Sequence, residues 1–407
     1  MPDELRILPA AYEDLPEIAR IHVAAWKQTY IGQVPQAFLD SLDVAVRLRG
    51  WQEQFANLKI SGLLIARMNH TAAGFVCFGR GRDPDRRILS MSNVRVIDEG
   101  DVRRLLPMAE CLDLMADALA ALARGEVHNP LRFVVRPPDE PSLMGLMPAH
   151  RRGDAPWWSL KALTIVPGNS ARGLDSHQGF VALFDGETGE PRALINAGGI
   201  TAVRTAAVSG VATRLLARED VRTLSILGTG TQARSHLDAM REVRSFERVV
   251  VWSASGRSLD GAESVATAED AVRDADVLCT VTSSAEPVVH RDWLKPGVHV
   301  NAVGSSIPTA RELDSRTMAD ASLFVDRRES TLNEAGDFLF PQREGVIGPE
   351  SIRAEIGELL VGSAEGRRSA EEITVFKSLG LAVEDLAAAE HVLRSAEAEN
   401  AGTVVSL

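Results

Sequence analysis

The amino-acid sequence predicts an α/β protein organised around a parallel sheet, and three observations carry that reading. Over residues 200–330 short apolar strand patterns alternate with helical ones, the order that builds a parallel sheet with crossover helices. Inside that stretch a buried strand pattern at 224–227 runs into the glycine turn Gly228-Thr229-Gly230-Thr231-Gln232-Ala233 and then into a helix. The charge also changes along the chain. Residues 1–90 hold 10 acidic and 11 basic side chains, while the rest hold 46 and 33, which places a boundary near 91.

Taken in order, 14–26 has apolar residues at helical spacing, with Leu15, Ile18, Ile21 or His22, and Ala25 on one face. A second helical pattern covers roughly 36–58, followed by two strand-like runs around an Asn-His-Thr turn, SGLLIARM and AAGFVCFGRGRD. The polar stretch PDRRILSMS at 84–92 separates this part from a new start, the strand NVRVI and then one helix over 98–125 with Asp98 at its N-cap. Strand-like segments, among them LRFVVR and GFVALFD, fill 131–184 around a loop rich in Pro and Gly. After the strand ending at Trp252 there is little room before the next helix, so the usual intervening helix is expected to be short or missing. The end, ITVFKSLGLAVEDLAAAEHVLRSAEAE, reads as one long helix.

With 407 residues, 45% of them hydrophobic, the chain can bury two or three sizeable cores. No apolar run reaches the ~18 residues that span a bilayer, and the N-terminus lacks the features of a secretion signal. The three scattered cysteines, Cys77, Cys111 and Cys279, fit reduced thiols in a cytoplasm. No HxxxH or CxxC spacing suggests a metal. A formal charge of −12 argues against nucleic acid as a partner, because phosphates need a basic surface.

The glycine turn carries chemistry. Gly228 permits the tight turn, Gly230 lets the backbone approach a pyrophosphate, and Ala233 lets the helix pack closely on the strand. The free N–H groups and positive dipole end of the helix, with Thr231 and Gln232 in its first turn, then face the phosphates. At the end of the second strand an NAD site places an acid for the ribose 2′-hydroxyl. Here the chain reads Trp252-Ser253-Ala254-Ser255-Gly256-Arg257, with no acid before Asp260. Hydroxyls at Ser253 and Ser255 and the cation Arg257 suit a 2′-phosphate, so NADP(H) is favoured over NAD(H); the plain alternative for Arg257 is a solvated loop residue.

A series of ordered stretches resembles the ornithine cyclodeaminase/mu-crystallin family over about 92–395, and its mu-crystallin branch more than its cyclodeaminases. They include NPLRFVV, LMGLMPAH, SLKALTIVPGN, LDSHQGFVALFDGETGEP, ITAVRTAAVSGVATRLLA, ILGTGTQARSH, ADVLCTVTSSAEPVV, LKPGVHVNAVGSS and ITVFKSLGLAVEDLAAA. The resemblance implies a Rossmann-like nicotinamide-dinucleotide domain at 206–330, inserted in a mixed α+β substrate-binding and dimerisation domain made of 91–205 with 331–407. It also implies a homodimer acting on a small amino or imino acid. By the resemblance Arg132 and Arg204 grip the substrate carboxylate, and Lys161 contacts substrate and handles a proton near the reacting carbon. Thr201, Thr205, Thr282, Ser283, Val303 and Ser305 match cofactor contacts at strand and helix ends, with capping as the alternative for the hydroxyls. Lys377 and Ser378 match the segment that closes over the nicotinamide. The residue types suit these roles, since a guanidinium grips a carboxylate bidentately and a lysine beside two arginines is pushed towards its neutral form.

One position departs from the cyclodeaminase pattern. Their aspartate after the VG of NAVG is Ser306 here, within Val303-Gly304-Ser305-Ser306-Ile307-Pro308. Loss of that carboxylate favours NADPH-dependent reduction of a ketimine, or a related amino-acid dehydrogenase reaction. The alternatives are a cyclodeaminase-like lyase making proline and ammonia from ornithine, and a non-catalytic NADPH-binding protein.

Residues 4–85 resemble the first half of GNAT-type N-acetyltransferases, through LRILPAAYEDLPEIARIHVAAWKQTYIGQVPQAFLDSL and LLIARMNHTAAGFVCFGRGRDPD. The acetyl-CoA pyrophosphate loop of that family is missing, so no acetyl-CoA binding is expected. The segment 1–88 is expected to be a truncated, loosely attached appendage, from a gene fusion or a misplaced start.

Overall fold

The computed structural model describes residues 5–30, 34–56, 62–68, 71–78 and 92–406. The chain divides into two compact units, Met1–Met91 and Ser92–Leu407. In the first, the strands Leu5–Pro9, Gly62–Met68 and Thr71–Phe78 form an antiparallel sheet in that order. Leu15, Ile18 and Ala19 of the helix Leu15–Thr29 pack with Trp51, Leu63 and Ile65 into its core. The helical pattern over 36–58 resolves into two helices, Gln36–Asp40 and Val44–Ala56. Asp43 causes the restart, because its carboxylate accepts the Val46 N–H at 2.9 Å and caps the second helix. Residues 57–58, the Asn69–His70 turn and most of the 84–92 separator lie outside the described residues.

The second unit holds two sheets of eight strands each. The mixed sheet runs Thr403–Ser406, Asn93–Ile97, Pro191–Asn196, His177–Asp185, Trp157–Ile165, Leu143–Arg151 and Val127–His128, with Phe133–Val135 also paired to Leu143–Arg151. The other sheet is parallel throughout, in the order Glu263–Ser264, Arg248–Trp252, Thr223–Leu227, Val277–Thr280, His299–Ala302, Thr374–Lys377, Ser322–Val325, Ile352–Glu355. Its central strands are buried on both faces, which is why they read as apolar runs without alternation. The helix Ala197–Leu216 joins the last inner strand of the mixed sheet to the first of the parallel one. It is buried along nearly its whole length, and its small Ala, Gly, Ser and Thr residues let neighbouring helices approach.

Three sequence expectations change here. Asp98 does cap a helix, its carboxylate accepting the Asp101 N–H at 2.9 Å, but that helix ends at Leu105 and a second, Met108–Ala123, begins after Pro107. Proline has no N–H to continue the ladder and favours a first-turn position, so it divides the pattern. The long terminal helix is instead a strand, Thr374–Lys377, followed by the helix Ala382–Glu399. The β-branched and aromatic run Ile373–Phe376 is inserted between two parallel strands, and Gly380 takes the left-handed turn (φ +79°) that ends it. Strands Ile352–Glu355 and Thr374–Lys377 therefore carry the parallel sheet past residue 330, while the helix Ala382–Glu399 returns to the mixed sheet. After Trp252 only a two-residue strand and the five-residue helix Ala268–Val272 precede the next strand. Among the described residues no helix is long and apolar enough to cross a membrane.

Candidate active site

The glycine turn sits at the carboxyl end of Thr223–Leu227, where parallel sheets place their ligands. Gly228 has φ +119°, and a Cβ there would lie 2.7 Å from the Val281 carbonyl oxygen of the neighbouring strand end. Its N–H donates to the Trp252 carbonyl at 2.8 Å, which ties the turn to the second strand. At Gly230 a Cβ would meet nothing within 4 Å, so the backbone is open to an approaching group. The helix Thr231–Val243 starts there, with Ala233 fully buried beneath it.

A cavity of about 1100 Å³ opens in front of this turn. It is lined by Gly228, Gly230, Thr231, Gln232, Ser253, Ser255, Thr282, Ser283 and Val303, and also by Arg132, Lys161, Thr201, Arg204, Thr205 and Ser378. The dinucleotide turn and the basic cluster thus share one space. Three polar atoms in its wall, Thr205 Oγ1, Gln232 Oε1 and Ser378 Oγ, are buried with no hydrogen-bond partner among the described residues. Such atoms are costly unless a ligand satisfies them, and with the open Gly230 they fit a polar, phosphate-bearing group. Thr229, Ser253 and Ser255 form a hydroxyl cluster, with oxygens 3.3 and 2.8 Å apart.

Four of the residues expected at the cofactor do not line the cavity, the first being Ala233, which is buried where the helix packs on the strand. Arg257 is exposed beyond the turn at Gly256 (φ +69°). Ser305 is buried behind the loop that presents Gly304 and Ser306. Lys377 is fully buried and paired with Asp337 at 3.0 Å. Ser306, at the place of the cyclodeaminase aspartate, does line it, beside Ile307 and Pro308.

Acids that the sequence reading passed over order the basic cluster. Lys161 projects from the strand Trp157–Ile165, 2% exposed, and donates to Thr201 Oγ1 at 2.6 Å and Asp385 Oδ1 at 3.0 Å. Burial lowers its pKa to about 8; Asp385 opposes that fall, and Arg204 and Arg132 add to it. Like charge from the arginines therefore acts in the direction the sequence suggests, but burial is the larger cause. Arg204 donates to Asp385 Oδ1 at 3.0 Å and to Glu384 Oε2 at 2.9 Å. Burial pushes the Glu384 carboxyl up to about 7, against the pull of Arg204. Arg132 is more open: its Nη2 donates to the Leu379 and Gly380 carbonyls at 2.9 and 3.2 Å, and its Nε pairs with Glu334 at 2.8 Å.

The turn under both arginines is held from below. Asp326, at the end of its parallel strand, accepts the Leu379 N–H at 2.6 Å and the Gly380 N–H at 2.9 Å. A Cβ at 380 would fall 2.4 Å from Arg204 Nη1, so only glycine fits between the guanidinium and the turn. Glu384 and Asp385 carried a usable signal: two acids in a first helical turn, flanked by the apolar residues of LAVEDLAAA, are placed for burial and pairing rather than for solvent.

Comparison with known proteins supplies the relationship. The model of the ornithine cyclodeaminase/mu-crystallin family matches residues 93–400. A Delta(1)-pyrroline-2-carboxylate reductase of Bacillus cereus is 36% identical over 320 residues, covering 75% of this chain and 98% of that protein. The ketimine reductase mu-crystallin of Mus musculus is 40% identical over 292 residues, covering 68% and 89%. Among solved structures, Thermococcus litoralis Delta(1)-pyrroline-2-carboxylate reductase in complex with NADH and L-proline superposes with a TM-score of 0.73 at 36% identity, over 77% of this chain and all of that one. An archaeal alanine dehydrogenase dimer with bound NAD gives 0.72 at 32% identity, over 77% and 99%. With the family model spanning nearly the whole second unit, including its dinucleotide turn and basic cluster, this chain belongs to the ornithine cyclodeaminase/mu-crystallin family.

Proposed function

We propose that the chain is an NADPH-dependent reductase of a small ketimine that carries a carboxylate on the reacting carbon. The observation that carries this reading is the shared cavity, in which the phosphate turn and the Lys161–Arg132–Arg204 cluster face one space. Three of the four relatives agree by name, being reductases of pyrroline-2-carboxylate or of ketimines, while the fourth is an alanine dehydrogenase. A nicotinamide bound there would supply a hydride for the imine carbon. The protein's part is to hold and protonate. Arg132, the more open guanidinium, is the primary carboxylate grip; Arg204, neutralised by two acids, backs it and fixes the helix that carries them. Lys161 in its ammonium form gives the imine nitrogen its proton. Ser306 leaves its loop without a base for amine elimination, which weighs against the lyase reading.

If Arg132 is the grip, Arg132→Ala leaves cofactor binding unchanged and lowers kcat/KM for the imine by about 2–4 kcal/mol, the range for losing a charge-assisted pair. Wild-type turnover in that variant would remove Arg132 from the site. The hydroxyl cluster at Thr229, Ser253 and Ser255, with no acid at the second strand's end, supports NADPH over NADH by at least about tenfold, roughly 1.4 kcal/mol. Ser255→Asp should reverse that order; equal Kd values for the two cofactors in the wild type would contradict this assignment.

A homodimer belongs to the same proposal. Met144, Trp158 and Phe180 stand exposed on the outer face of the mixed sheet, and Phe133 and Val135 continue it on the adjoining strand. A contiguous apolar face of this kind suits a self-complementary two-fold contact. Sedimentation of the protein as a monomer at micromolar concentration would contradict it.

A further inference from the structure

Glu312 does not line the cavity, yet it touches two loops that do. Residues 281–284 follow the strand Val277–Thr280, and residues 303–309 follow His299–Ala302. The Glu312 side chain is fully buried between them. Its Oε1 accepts the Thr282 N–H and the Thr282 hydroxyl, both at 2.7 Å; its Oε2 accepts the Thr280 hydroxyl at 2.7 Å and the Gly304 N–H at 2.8 Å. Four donors meet the acceptor capacity of one carboxylate, which offsets the cost of removing it from water.

The carboxylate is also held from behind. The Glu312 and Leu313 N–H groups donate to Asp337 Oδ1 at 2.8 and 2.9 Å. The Asp337 carboxylate pairs with Lys377, and Lys377 Nζ donates back to the Ala302 carbonyl at 3.2 Å, at the end of the strand that leads to Gly304. A closed circuit therefore runs from strand end to lysine, aspartate and glutamate and back to the loop. The two loops pack so closely through Gly304 that a Cβ there would lie 2.2 Å from the Thr282 carbonyl oxygen. Burial and the nearby Asp337 raise the Glu312 pKa, while Lys377 and the threonine hydroxyls oppose that rise.

We propose that Glu312 is a positioning residue for the dinucleotide: one buried carboxylate, fixed by the Asp337–Lys377 pair, sets the spacing of the 281–284 and 303–309 loops on which the nicotinamide half rests. The proposal rests on the reading of the cavity as a nicotinamide site. It also gives Lys377 a role through the loops in place of direct contact.

The test compares full-length wild type with Glu312→Gln and Thr282→Val. Glutamine keeps the size of the side chain but turns an NH₂ towards a backbone N–H that now has no acceptor. NADPH binding is read by the fluorescence of the bound cofactor, and the thermal midpoint of the ligand-free protein is read alongside. Expected for Glu312→Gln is a rise of at least about tenfold in both Kd and KM for NADPH, with kcat at saturating cofactor changed much less; the unpaired N–H lowers the midpoint, and the unfolding transition stays cooperative. Thr282→Val, which removes one of the four donors, should show a smaller rise in the same constants. Wild-type Kd and KM in both variants would overturn the proposal. So would a lowered midpoint with unchanged cofactor affinity in the folded fraction, which would leave Glu312 a purely structural role. A wild-type protein that bound neither NADPH nor NADH would overturn the reading of the cavity itself, and the proposal with it; a wild type that binds NADPH without reducing imines leaves the Glu312 comparison intact.

Discussion

Lys161→Met is expected to lower kcat/KM for imine reduction by about 10²–10⁴-fold, the span for removing a positioned general acid, with NADPH binding retained. Methionine fills the space of the stem but can neither hold nor deliver the proton. The pH profile gives the sign independently. Burial brings the ammonium to about pH 8, so the donor form is present below that value and is lost as pH rises through it. Reduction of the imine is therefore expected to fall above about pH 8 in the wild type. Oxidation of the amine, which on this reading needs the neutral lysine as acceptor, is expected to rise through the same range. A reduction profile that is flat across pH 7–9, or Lys161→Met with near-normal turnover, would exclude Lys161 as the acid.

The Lys161 environment also shows what the sequence could and could not disclose. Gly228, Gly230 and Ala233 were legible because their demands are local: a left-handed turn, an open backbone and a close helix packing all arise within six residues. Much of the parallel sheet was legible for the same reason, since Thr223–Leu227, Val277–Thr280 and His299–Ala302 are short apolar runs between helical patterns. Asp385 lies 224 positions from Lys161, and nothing in either neighbourhood announces the pair. The burial of Glu384 had a local signal, but its partner, like those of Asp326, is supplied by the return of the chain from the parallel sheet to the mixed one. Lys377 was placed in the site by resemblance alone, and its burial against Asp337 depends on a strand that periodicity had merged into a helix. Pro107 is the opposite case: the break it imposes follows from its own ring, whatever the rest of the fold does.

Arg204→Ala is expected to have the largest effect on stability. The guanidinium is 5% exposed and pairs with Glu384 and Asp385, whose side chains are 0% and 1% exposed. Its removal leaves two buried carboxyls with Lys161 as the remaining close cation, and breaking a buried pair in this way costs about 3–5 kcal/mol. The start of the helix Ala382–Glu399 loses its anchor to Ala197–Leu216 as well. The loss is read from urea denaturation midpoints, with the slope checked to show that a cooperative transition persists. Arg204→Lys should recover only part of the loss, because an ammonium cannot serve both carboxylates in the guanidinium's planar geometry. A change below about 1 kcal/mol in Arg204→Ala, the scale of an exposed pair, would mean that the pairing contributes little and that Arg204 is free for substrate alone.

The most direct measurement is NADPH consumption by the full-length protein with a cyclic imine bearing a carboxylate on the imine carbon, set beside 2-oxo acids plus amines and beside ornithine. Imine reduction on this reading gives one amine for each NADPH consumed, with NADH a poorer donor and no ammonia released from ornithine. Ammonia and proline formed from ornithine without net change in the cofactor would contradict it in favour of the lyase, and tight NADPH binding with no turnover of any imine would leave a binding protein in its place.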